Sequence, residues 1–163
     1  SQFVTGYFGL HADIENLRTV VRLKAREGAD KDLAGEMEAA FLEGGTLTLA
    51  TLLAALPQPW EAMLELLAKA PPLGAGSEKF RAYLEQGRAA LTSRRSFARM
   101  ERIGREAELR YLRQTRYATF GYEPLVTFFL LRENEVRNLR LIYAAKLAGR
   151  AIEETQDLVA YVE

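Results

Sequence analysis

The sequence predicts an all-α fold built from repeated helical-bundle domains, and three observations carry that prediction. Apolar residues recur at helical spacing along nearly the whole chain, and no stretch alternates with a period of two. Gly and Pro collect at a few points, leaving long uninterrupted segments between them. One pattern also occurs twice: shifted by 122 residues, VTGYFGLHADIENLRTVVRLK (4–24) lies on VTFFLLRENEVRNLRLIYAAK (126–146). Val-Thr, Asn-Leu-Arg and the closing Lys coincide, Asp13 falls on Glu135, Ile14 on Val136 and Tyr7 on Phe129. A polar pattern present in two copies marks a repeated architectural unit, because a catalytic constellation is normally assembled once.

The elements follow in order. A first helix is expected over 4–26, ending near Gly28. A second spans 31–42, with Leu33, Met37 and Phe41 on one face, and Gly44-Gly45 then permits a tight reversal. Thr46 or Thr48 caps a short helix through Ala55, and Pro57 and Pro59 lead into another through Lys69. PPLGAGS (71–77) reads as a loop whose Ser77 caps a long helix to about Tyr117, with Gly87 or Gly104 as places to bend. Gly121 breaks it, Pro124 suits the first turn of a helix reaching Gly149, and a last helix covers about 152–161. The chain opens on Ser1, without an initiator Met, directly in a helical pattern, so a preceding N-terminal part is expected.

Composition excludes several classes of function. There is no cysteine among the 163 residues, hence no disulfide, thiol nucleophile or thiolate metal site. Formal net charge is zero, with 22 basic and 22 acidic residues, which argues against a general polyanion binder. The longest apolar run, 124–131, is far short of the roughly 20 residues that cross a bilayer, and no signal-peptide pattern appears.

Chemistry-bearing residues concentrate in RENEVRNLR. On a helix Glu133 faces Arg137, Asn134 faces Asn138, Glu135 reaches Asn138, and Arg137 reaches Arg140. In the first copy Asp13, Asn16 and Arg18 stand where Glu135, Asn138 and Arg140 stand. A metal site is disfavoured, because His11 is the only histidine and no two-histidine helical motif exists. No phosphate-binding glycine loop is present, and no cofactor, metal or catalytic residue is assigned. A structural or docking network therefore outweighs catalysis by Glu133 or Glu135. Breaking a buried ion pair costs about 3–5 kcal/mol, against about 0.3–0.5 for an exposed i,i+4 pair, so Arg140→Ala is expected to loosen helix packing.

Charge is uneven along the chain. Residues 88–116 hold nine arginines and three acids, whereas 27–65 hold eight acids and Lys31 alone. Phe97, Met100, Gly104, Ala107 and Tyr111 trace an apolar seam, and Arg95, Arg99, Arg102 and Arg113 fall away from it, a candidate partner-facing stripe. Glu101–Arg105 and Glu106–Arg110 are spaced for i,i+4 pairs. A helical nucleic-acid-binding adaptor using 88–116 is the alternative reading, opposed by a pI near 6.6 and the lack of a known module.

Phe120-Gly121, Glu123-Pro124-Leu125 and the run Glu133-Asn134-Glu135-Val136-Arg137-Asn138-Leu139-Arg140, continued by Lys146 and Gly149, resemble the C-terminal part of a known family. That family is the C-type subunit of the archaeal and bacterial A/V-type ATPases, the counterpart of the d-type subunit of the eukaryotic vacuolar ATPase. HADIENLRTVVRLK resembles the corresponding helix of the preceding repeat, and FLEGGTL (41–47) the glycine turn after it. The first copy departs from the motif where His11 and Ala12 replace Glu-Asn and Glu15 replaces Arg137. The resemblance implies three similar helical domains, of which 1–28 would end one and 29–163 form the last. It implies a non-catalytic rotor part of a proton- or sodium-translocating ATPase, peripheral on the cytoplasmic face of the membrane. Its partners would be the central-stalk subunits and the membrane proteolipid ring.

Overall fold

The computed structural model describes residues 1–26, 32–69, 83, 85, 88, 89, 97–118 and 120–162. All regular structure among them is helical, and the chain forms two compact units, Ser1–Arg95 and Ser96–Glu163.

The first unit is built on α1 (Gln2–Ala25), followed by α2 (Leu33–Ala40), α3 (Leu49–Ala55) and α4 (Trp60–Lys69). Helix α1, which the repeat assigns to the end of a preceding domain, shares this unit with α2–α4 and packs on α2. Its apolar residues Tyr7, Ile14, Leu17, Val20, Val21 and Leu23 join Met37, Leu52, Met63 and Leu67 in the core. Each such side chain contributes about 1.5–3 kcal/mol through burial, so the core supplies most of this unit's stability. Local chemistry sets the helix starts: Asp32 accepts from the Gly35 N–H at 2.9 Å, and Thr48 accepts from Thr51 at 3.2 Å. Helix α2 stops at Ala40, two residues before the expected end, and Phe41 turns extended. The cause is tertiary, since the Leu42 backbone is claimed by a side chain of α1.

The second unit contains α5 (Ala98–Leu112), a 3-10 turn (Arg113–Tyr117), α6 (Glu123–Leu147) and α7 (Ile152–Gln156). Helix α6 packs on α5, on the 3-10 turn and on α7. Pro124 lies in its first turn, where a missing N–H costs nothing. The loop 71–77, its Ser77 cap and Gly87 lie outside the described residues. Helix α5 runs unbroken through Gly104, then tightens at residue 113. There the Thr115 hydroxyl donates to the Leu112 carbonyl at 3.0 Å and stands 2.8 Å from the buried Thr127 hydroxyl. The seam on α5 extends beyond the expected face: Met100 and Gly104 are buried, but so are Glu108, Leu109 and Leu112.

The last helix is shorter than expected, ending at Gln156 instead of about 161. Side chains hold carbonyls in and after its last turn. Arg102 donates to the Gln156 carbonyl at 3.1 Å, and Asn134 and Asn138 donate to the Ala160 carbonyl at 3.2 and 2.8 Å. Residues 157–162 are thereby held as a non-helical strap against α6.

Candidate functional site

The polar residues of the first copy form a clasp on the backbone of the glycine turn. Asp13, wholly buried, accepts from the Thr46 N–H (2.8 Å), the Thr46 hydroxyl (2.9 Å) and the Leu47 N–H (2.9 Å). Asn16 closes on Leu42 from both sides, donating to its carbonyl and accepting from its N–H, each at 2.9 Å. A turn that offers its N–H groups to a buried carboxylate must come close to it. Gly44 adopts φ +98°, and a Cβ on Gly45 would collide with the Asp13 carboxylate. Arg18 stays outside this arrangement and pairs with Glu15 one turn earlier at 2.6 Å. Glu15 is the residue that replaces Arg137 in this copy, so the pair closes within the helix.

The second copy keeps half of the clasp. Asn138 donates to Ala160, which follows α7 as Leu42 follows α2. Among the described residues its Oδ1 is buried without a hydrogen-bond partner, as is that of Asn134. Glu135 holds no backbone: it is exposed and pairs with Arg132 at 2.6 Å. Glu133 is exposed and makes no ion pair among the described residues, so the expected Glu133–Arg137 contact does not form. Arg137 is half-buried. Arg140 is exposed with no ion pair among the described residues, which corrects the expectation that it locks helices together. Asp13 and Asn16 are brought together; Glu133, Glu135, Arg137 and Arg140 share no common site. Among the described residues no group of His, Asp or Glu is arranged to hold a metal ion.

Of the basic stripe, Arg95 lies outside the described residues. Arg99 pairs with Asp157 at 3.1 Å, Arg102 with Glu106 at 3.5 Å and Asp157 at 3.6 Å, and Arg113 is half-buried. Two of the four arginines thus hold the C-terminal strap. The expected pairs of α5 are replaced by Arg102–Glu106 and by Arg105–Glu108 at 2.7 Å, the latter compensating a buried carboxylate.

A difference in burial between the two copies is not visible in the sequence. Tyr7, Ile14, Leu17 and Val21 on α1 correspond to Phe129, Val136, Leu139 and Tyr143 on α6. Leu17 and Val21 are 1% and 0% exposed, whereas Leu139 and Tyr143 are both 66% exposed. With Leu125, Phe128 and Leu147 these residues lie within about 100° of one another around the helix. Arg132, 5.4 Å over the Phe128 ring, and the exposed Lys146 near its C-terminal end are the charges within the stripe. A 25-residue helix is about 37 Å long, and an apolar band of that length on a surface marks an interaction site.

A family model described as ATP synthase (C/AC39) subunit matches residues 1–158. The chain belongs to this family. The match covers the first unit and the second as far as residue 158, so the clasp on α1 and the exposed stripe on α6 are features of a C/AC39 subunit. No curated protein and no solved structure matches the chain. The assignment makes this an all-helical subunit of an A/V-type ATPase, a membrane-associated complex. No described helix is long and apolar enough to cross a membrane.

Proposed function

We propose that this C/AC39 subunit is a non-catalytic rotor part that couples the central stalk of an A/V-type ATPase to its membrane proteolipid ring on the cytoplasmic side. One observation carries the reading: the apolar stripe of α6, from Leu125 to Leu147, stands exposed on a helix anchored by its opposite side, where Thr127 and Ala145 are buried. A part that transmits torque has to be stiff and has to grip its neighbours. The Asp13 and Asn16 clasp supports the first requirement, and the stripe supports the second. In this reading Glu133 and Glu135 are surface groups of the docking helix, with Arg132 between the stripe and Glu135. Among the described residues the partner-facing role of the basic stripe is narrowed to Arg113, since Arg99 and Arg102 are already engaged.

The test is co-purification. Tagged wild-type protein is expected to bring down central-stalk and proteolipid subunits from solubilised membranes. The double substitution Leu139→Asp, Tyr143→Asp is expected to lose them while its melting curve is unchanged, because both side chains are exposed in the isolated chain. Retention of both partners by the double variant would overturn the reading.

A further inference from the structure

At the C-terminal end of α6 a cavity of about 490 Å³ opens within the second unit, lined by Ile142, Ile152 and Val159, by Tyr161, Thr155 and Gln156, and by three cations. The cations are Arg102, Lys146 and Arg150, and among the described residues no carboxylate contributes to the wall. Arg102 is fixed by the Gln156 carbonyl and Asp157, and its buried Nε lies 3.5 Å from the Glu106 carboxylate. The side chains of Lys146 and Arg150 make no ion pair among the described residues. The nearest acids on the adjoining helix, Glu153 and Glu154, are exposed and stand outside the lining.

We propose that this cavity binds a short acidic peptide segment of a partner protein, one with a large apolar side chain beside its carboxylates. Charge complementarity selects the acidic groups, since Lys146 and Arg150 line the cavity with no ion pair among the described residues, and charge-assisted hydrogen bonds to carboxylate are the strong kind. The aliphatic wall selects the apolar anchor, and the volume falls in the range of about 300–1,000 Å³ typical of small binding sites. Ile152 and Tyr161, 73% and 64% exposed, offer the surface such an anchor would cover.

The experiment is fluorescence anisotropy on the whole chain, with a labelled peptide of glutamates around a central phenylalanine. Binding is expected to weaken about tenfold or more for Lys146→Glu, Arg150→Glu, and to weaken with added salt. Similar weakening is expected when the peptide's glutamates become glutamines, or its phenylalanine becomes serine, and for Ile152→Ser. Circular dichroism checks the fold, and Lys146→Gln, Arg150→Gln carries the test if the charge reversal unfolds the unit. Equal affinity for the glutamine peptide, or unchanged affinity of the charge variants, would overturn the proposal. So would a preference for phosphatidylglycerol vesicles over the peptide, which would assign the cations to lipid. Binding is read on the isolated chain, so its failure is separate from failure of the rotor role.

Discussion

The side-chain amide of Asn16 meets both polar atoms of the Leu42 backbone, 2.9 Å to the carbonyl and 2.9 Å to the N–H. Together with Asp13 it fastens α1 to a turn about 30 residues later in the chain, by side-chain bonds to main-chain groups that no helix or strand satisfies.

Removing the Asp13 carboxylate leaves the Thr46 and Leu47 N–H groups without their acceptor. At about 1–3 kcal/mol per stranded buried group, Asp13→Ala should lose about 3 kcal/mol or more in urea unfolding. Asp13→Asn keeps one acceptor and should lose less. Gly45→Ala should fall near Asp13→Ala, because the added methyl displaces the same carboxylate.

The two asparagines of the repeat should differ. Asn16→Ala removes the side-chain partner of both Leu42 groups and, because Leu42 is partly solvated, is expected to cost about 1–3 kcal/mol. Asn138→Ala leaves the Ala160 carbonyl bonded to Asn134, so about 1 kcal/mol is expected from the same unfolding assay. Equal losses would mean that the two clasps are equivalent after all.

Among the arginines, burial of the partner decides the effect. Arg140→Ala should change stability by no more than about 0.5 kcal/mol. Arg105→Ala removes a charge partner of the buried Glu108 carboxylate and should cost more, though less than the about 3–5 kcal/mol of a fully buried pair, since Arg105 is partly solvated. Thermal melts of the two variants make the comparison.

Burial raises the Tyr111 phenol above its ordinary 10.0 by penalising the charged form. The unfolded chain therefore ionises this residue first as pH rises. Its contribution is flat below pH 10.0, and stability falls as pH climbs from there toward the higher folded value. The stability difference between Tyr111→Phe and wild type should shift in favour of the variant above that pH, and be constant below it.

Much of the fold is legible in the sequence for local reasons. Thr48, Pro124, Gly44 and Gly121 act within a few residues of where they stand, and the helices they bound are found. Asp13 and Asn16 are legible through the repeat. What is not legible is set by distant parts of the chain. Asn134 and Asn138 hold the Ala160 carbonyl of the C-terminal strap from 22 or more positions away. The matched letters at Leu17 and Leu139 are identical, yet one is buried and the other exposed, because neighbours in space decide burial. Arg140 reads as a partner of the clasp, yet it is exposed to solvent with no ion pair among the described residues, and Arg18 pairs with the neighbouring Glu15.

The central claim is that one face of a repeated helix is spent on internal packing in α1 and kept for partners in α6. The chain contains no cysteine, so single substitutions Leu17→Cys and Leu139→Cys can be compared by thiol-labelling rate. The account predicts slow labelling at position 17 both in the isolated chain and in the assembled ATPase. At position 139 it predicts fast labelling in the isolated chain and strong protection in the assembly. Equally fast labelling of position 139 in both states would contradict it.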